Sequence, residues 1–164
     1  MTLFPPTLEE ARARIATVNP AEYSRSRNAL NGAVTQLSPY ITHGFISLPE
    51  VLEGVRLHHS VRTQDKFVFE LGWREYFRHV WQHRGNGIFK SLHEGVLSDE
   101  AYADKIPFDI LHASTGVDAI DMAVKTLYAT GYLHNHARMW LASYMVHLRK
   151  VHWRAGADWM YGHL

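Results

Sequence analysis

Helix boundaries are written along this chain so densely that little room is left for a sheet. Thr7 stands three residues ahead of Glu10, and Ser47 three ahead of Glu50. At that spacing a hydroxyl and a carboxylate cap the first turn of a helix reciprocally. Pro5 and Pro6 precede the first box, which opens "LEEARARIATV"; the second opens "PEVLEGVRLHH". A third helix is expected over residues 63–83, closed by the glycines at 85 and 87, with Gly72 lowering its propensity. A short fourth follows Pro107 over 108–113, a fifth covers 117–129 and ends at Gly131, and a sixth covers 134–153. Period-two alternation is nearly absent, so the fold class is all-α, a helical bundle. Residues 19–45 carry Asn-Gly, Ser-Pro and His-Gly breaks and read as loop with short helical turns. Loops of that length are often functional.

The 164 residues predict one compact unit, a single domain over 1–164. Apolar residues make up 46% and charged ones 20%, and the longest apolar run, "MWLASYMV", stops at His147, well short of a membrane span. The start, "MTLFPPTLEEARAR", has no basic and apolar leader pattern, so a cytoplasmic location is the expectation. Absence of cysteine excludes disulfides, zinc-thiolate centres and a thiol nucleophile. A net charge of +1 does not announce a polyanion partner, but its distribution is uneven. Residues 132–154 hold Arg138, Arg149, Lys150, Arg154 and four histidines without one acid, and Trp140, Tyr144 and Trp153 are interleaved. Such a stripe suits nucleic acid, or is the wet side of an ordinary helix.

Twelve histidines raise the question of metal. Glu75, His79 and His83 share a helical face and could ligate zinc or iron, or form a partly exposed polar face. The segment between the histidines, "VWQ", lacks the glutamate of an HExxH site, and no metal is assigned. His134 and His136, two apart in a helix, point about 200° from each other and would not share an ion. No G-x-S-x-G elbow, phosphate loop or dinucleotide fingerprint is present, so any chemistry here is carried by a cofactor.

Two mixed faces point further. In "ELGWREYF", Glu70, Trp73, Arg74 and Phe77 align at i, i+3, i+4 and i+7. They form either a pocket wall for a stacked base or a surface Glu70 to Arg74 ion pair beside a half-buried indole. In "TGYLHNHARM", Asn135, Arg138 and Met139 repeat the arrangement.

The segments "LSPYITHGFIS", "ELGWREYFRH", "TGVDAIDMAVKTLYATGYLHNHARM" and "WRAGADWM" occur in an order that resembles the FAD-binding helical domain of the photolyase and cryptochrome family. The resemblance implies a flavin-dependent DNA photolyase activity, the light-driven transfer of an electron from reduced FAD to an ultraviolet-induced pyrimidine dimer in DNA. It implies that Tyr23, Thr35, Gln36, Leu37, Ser38 and Arg138 hold the flavin, with Val34 standing where the family has a hydroxyl. Arg27, Glu70, Trp73, Arg74, Phe77, Asn135, His136 and Met139 would receive DNA, Glu70 and Asn135 at the reacting dimer, and "HNHARM" would be where cofactor and lesion meet. Trp153 matches the middle tryptophan of the electron relay; the outer position has none, and Tyr102 is its redox substitute. The sequence stops before the family's Asp-Gly-Asp run, which implies a partial domain that retains FAD weakly or not at all and lacks turnover alone. Homo-oligomerisation over the open flavin cleft is a further expectation. The alternatives are a non-enzymatic helical nucleic-acid-binding module, a blue-light-sensing cryptochrome-like one, and a metal-binding bundle.

Overall fold

The structure is a computed structural model that describes residues 3–164, and among these it is all-α, with no strand beyond one isolated parallel bridge, Ala103 to Val151. The chain falls into two compact units, the first ending at Gly85 and the second spanning Asn86–Leu164. Each has an apolar cluster of its own, and the two clusters share no residue.

The first unit contains α1 (Leu8–Thr17), α2 (Pro20–Ser26), α3 (Ser38–Thr42), α4 (Leu48–Arg56) and α5 (Lys66–Arg84). The Ser47 box forms in full. Thr7 forms only half of one: its hydroxyl accepts the Glu10 amide, but the Glu10 carboxylate turns to Arg14 at 2.8 Å. Arg14 is the hub of this end of the unit, because it also donates to Gln36 Oε1 at 2.8 Å and to the Leu3 carbonyl at 2.7 Å. Ala11, Ile15, Val51 and Val55 pack where α1 meets α4, and Val18, Leu37, Tyr40, Ile46 and Phe67 complete the cluster. The 19–45 segment holds short helices between turns, as its breakers imply.

The second unit contains α6 (Phe108–Leu111), α7 (Asp118–Thr130), α8 (Asn135–Ser143) and α9 (Trp153–Tyr161), after 3₁₀ turns at Gly85–Phe89 and Asp99–Ala101. Val117 offers α7 no side-chain cap. Asp121 replaces it from inside the helix, accepting from the amide and hydroxyl of Thr115 and the amide of Gly116. Gly131, at φ 63°, closes α7 in the left-handed conformation that a glycine adopts without a Cβ clash.

The sixth helix expected over 134–153 does not form. It breaks into α8, a π turn at Tyr144–Leu148, a left-handed Lys150 at φ 53° and the start of α9. The break is bonded: Ala103 donates to the Lys150 carbonyl and His152 donates back to Ala103, each at 2.8 Å, which seats Val151 in the core. Consequently the basic stripe is not one helical face. Arg149 grips Asp109 with both terminal guanidinium nitrogens, Nη1 and Nη2, and Arg154 binds Asp158.

Leu127, Leu141, Met145 and Ile110 are fully or almost fully buried together. Leu127→Ala is expected to lower unfolding stability by about 2 to 5 kcal/mol in urea titration, as for other buried leucines. Truncation of Leu57, 80% exposed, should change it by less than about 0.5 kcal/mol. The hydrogen bond from Arg149 holds the Asp109 carboxyl below the usual carboxylate range, against the opposing effect of burial. A carboxyl depressed in the folded state stabilises fully above its unfolded pKa, about 3.9, and that contribution is lost as pH falls through the folded value. Asp109→Asn should therefore destabilise at pH 7, and its difference from the parent chain, followed by thermal unfolding, should shrink below about pH 4.

Candidate functional site

In the first unit the candidate residues gather on α5 and the end of α2. Glu70 is bracketed by two cations, Lys66 Nζ at 2.9 Å and Arg27 at 3.5 Å. The Glu70 to Arg74 pair considered from the sequence does not form. Arg74 instead donates to the Thr42 hydroxyl at 2.7 Å, and burial, followed by the repulsion of Arg78, holds its guanidinium below the usual arginine range. Trp73 stacks on Phe77 with centroids 6.0 Å apart and meets Phe69 and Tyr76 edge to face. With Trp81 these rings form an aromatic strip along α5, each between 44 and 63% exposed. The Trp73 plane is thus held by its neighbours while its free side faces solvent, as a stacking surface requires. Tyr23 packs edge to face on Phe67 and lies under Arg27, joining this group to the core.

The 35–38 run serves several ends at once. Thr35 accepts the Leu37 amide at 3.4 Å, Gln36 sits at φ 53° with its side chain bound by Arg14, and the Leu37 side chain is core. Ser38 starts α3, whose first turn has no side-chain cap and, with Pro39 second, lacks one amide, which leaves the Ser38 amide and hydroxyl as its foremost donors. On α5, His79 and His83 lie ring against ring at 4.1 Å, with His83 Nδ1 2.9 Å from the His79 carbonyl and Glu75 turned to Arg78. No group of three or more potential ligands converges among the described residues.

In the second unit the opening of α8 places the other set. His134 lies outside the helix as its N-cap, so the 200° separation does not apply. The His134 and His136 rings are 5.4 Å apart, and His134 Nδ1 is occupied by the His136 amide at 3.1 Å. His136 Nδ1 is buried with no hydrogen-bond partner among the described residues. Asn135 donates to the Met139 sulfur at 3.7 Å, both residues being exposed. Arg138 Nε donates to the Leu133 carbonyl at 2.8 Å, and its guanidinium lies 5.9 Å from the Tyr132 ring centre. Trp153 is positioned by Ser91, which accepts its indole N–H at 2.9 Å, and a series of ring contacts runs from it through His152, 6.0 Å away, to Tyr102, 6.4 Å further.

Lys66, the edge-to-face partners of Trp73 and the neighbouring Trp81 were missed from the sequence, although Phe77 was named. Lys66 lies four residues before Glu70, and Phe69, Tyr76 and Trp81 share the spacing of the α5 face, so helical periodicity could have found them. Thr42 is 32 residues from Arg74 and left no local signal. Because Glu70 neutralises two neighbouring cations, Glu70→Gln should strengthen binding to a DNA oligonucleotide. Its log K against log salt slope should steepen by about one unit; an unchanged slope would show that Arg27 and Lys66 face away from the phosphates.

Comparison with known proteins assigns the chain. Residues 67–164 match the family described as the FAD binding domain of DNA photolyase. A cryptochrome DASH, chloroplastic/mitochondrial, from Ostreococcus tauri is 32% identical across 88% of this chain and 28% of its own. One from Danio rerio is 32% identical across 85% of this chain and 28% of its own. A Synechocystis cryptochrome structure superposes with a TM-score of 0.82 at 24% identity, covering 99% of this chain and 36% of that one. The chain thus spans less than a third of these curated relatives. With a family match over more than half its length and the helical fold to accompany it, the chain belongs to the photolyase/cryptochrome family and carries its FAD-binding helical fold.

Proposed function

We propose that residues 1–164 are part of the FAD-binding domain of a flavin-dependent DNA photolyase-like protein acting on pyrimidine dimers. The observation that carries the reading is the family match over 67–164, which takes in the Trp73 wall and the α8 opening together. The residues present fit a flavin nucleotide. The 35–38 run ends in an uncapped helical turn with a serine, a donor set suited to phosphate. His136 Nδ1, buried and unpartnered, supplies a polar atom that lacks an acceptor or donor until something else arrives.

What bound reduced FAD would supply is a light-driven electron to the dimer, so that the lesion is split without hydrolysis. The chain's own residues bind and orient. Tyr23 and the 35–38 backbone hold the phosphate side of the cofactor, and Arg138, steadied by the Leu133 carbonyl, supplies positive charge beside the ring system. Trp73 and Phe77 offer a flipped base an exposed aromatic plane, with Glu70 and Arg74 at its edge and Arg27 toward the strand. Asn135, its amide lightly held by a sulfur, can exchange that contact for a base edge, with Met139 and His136 alongside. Trp153 serves as a relay residue, its indole N–H fixed by Ser91. The relatives named cryptochrome support a second reading, blue-light sensing through the same residues.

FAD titrated into the chain should shift its visible absorption and quench its fluorescence. Arg138→Ala should weaken that binding by about tenfold, as for loss of one charge-assisted contact. Binding that is indifferent to Arg138 and to the 35–38 run would overturn the assignment. Blue-light repair of a dimer-containing oligonucleotide separates the two readings: recovery of intact pyrimidines favours photorepair, and flavin photochemistry without recovery favours sensing.

A further inference from the structure

The second unit holds a cavity lined by none of the residues assigned to hold the flavin, although Trp153 and Tyr102, named for its electron relay, form part of the wall. It has a volume of about 390 Å³, within the range of about 300 to 1,000 Å³ typical of small-molecule sites. The 3₁₀ turns and loop before α6 wall it on one side, and the bonded break between α8 and α9 walls it on the other.

Three rings make a corner inside it. His152 and Trp153 lie within 30° of parallel, and Tyr102 stands at 81° to His152. The corner is built rather than accidental. Trp153 Nε1 donates to Ser91, Ser91 donates to the Asp99 carboxylate at 3.0 Å, and the Tyr102 oxygen accepts the Leu97 amide. A Cβ at Gly95 would come within 2.7 Å of the Tyr102 oxygen, so the phenol occupies a space that glycine leaves open.

The chemistry of the lining selects a ligand. Parallel and perpendicular rings about 6 Å apart suit a flat heteroaromatic system. Asp99 has carboxylate lone pairs beyond those Ser91 uses, so it can accept from an exocyclic amine. Lys90 and His93 belong to the same lining, both exposed, and Lys90 has no carboxylate partner among the described residues. A cation at the rim of an aromatic cavity is placed for phosphate.

We propose that this cavity is a second binding site, apart from the residues proposed to hold the flavin, for a purine mononucleotide. The base lies against Trp153 and Tyr102 with its amine on Asp99, and the phosphate lies on Lys90. The same base and phosphate could come from a free nucleotide or from a nucleotide within a single strand.

The test is titration of the chain with AMP, adenosine and an oligo-dA strand, followed by the indole N–H resonances in proton-nitrogen spectra, with the Trp153 signal assigned from Trp153→Phe. AMP should move the Trp153 signal saturably. Adenosine, and AMP with Lys90→Glu, should bind about tenfold more weakly, as loss of a charged contact predicts. Leu92→Trp, a filling change at an exposed lining position, should abolish binding, Asp99→Asn should weaken it, and Arg138→Ala should leave it intact. Oligo-dA moving the same signal with the same variant pattern would make the strand the source; response to AMP alone would make it the free nucleotide. No shift at millimolar AMP, or AMP binding that is lost in Arg138→Ala and kept in Leu92→Trp, would overturn the proposal. The latter result would place AMP among the flavin-binding residues, whereas failure of FAD to bind would leave this cavity unaffected.

Discussion

The bonded break after α8 is the constraint on which the second unit depends. A continuous helix over 134–153 would carry its apolar positions past the core. The π turn and the left-handed Lys150 reset the chain direction within seven residues, Tyr144 to Lys150. A non-glycine residue at φ 53° costs on the order of 1 kcal/mol, and the turn persists only because surrounding contacts fix it. Those contacts are the reciprocal amide bonds between Ala103 and residues 150 and 152, the burial of Val151, and the two-pronged grip of Arg149 on Asp109. Their common result is to start α9 with His152 and Trp153 turned toward the 88–102 loop, so the seating of Trp153 on Ser91 and the wall of a cavity come from one backbone event.

A comparable role in the first unit falls to Arg14. One guanidinium collects the carboxylate of Glu10, the amide oxygen of Gln36 and a backbone carbonyl, and its plane also lies 4.8 Å from the Phe4 ring centre. Five donors in a fixed fork make such a hub feasible, where lysine would serve one partner at a time. The arrangement holds Gln36 left-handed and Leu37 in the core, and so decides where the turn into α3 presents its amides. Helix packing here fixes the backbone of the 35–38 run through a side chain 22 residues away in sequence.

Element type was legible in the sequence because helix ends are chemical events. Ser47 with Glu50, and Gly131 after Thr130, read correctly since each is decided by two or three neighbouring residues. The candidate faces on α5 and α8 were legible for the same reason, being periodic within one element. What could not be read depended on distant partners: the break at Lys150 rests on Ala103, 47 positions away, Arg74 turns from Glu70 to Thr42, and Arg14, which draws Glu10 from its cap, is itself held by Gln36, 22 residues on. His134 shows a smaller failure of the same kind. Helical angles were applied to a residue that ends outside the helix, where the cap conformation brings two rings together instead of apart.

The placement of charge explains how a chain of net charge +1 can present basic surface selectively. Arg149 and Arg154 spend their charge on Asp109 and Asp158, so the part of the 132–154 stripe that looked most basic is largely neutralised locally. On α5 the balance differs. One carboxylate, Glu70, faces two cations at 2.9 and 3.5 Å, leaving a local excess beside an exposed aromatic strip. A phosphate approaching that strip meets a cation pair already partly desolvated and positioned by a carboxylate, and gains attraction without ordering two flexible side chains first. The surface where stacking is available is therefore also the one where a local excess of positive charge survives, a coincidence that the overall charge of +1 does not reveal.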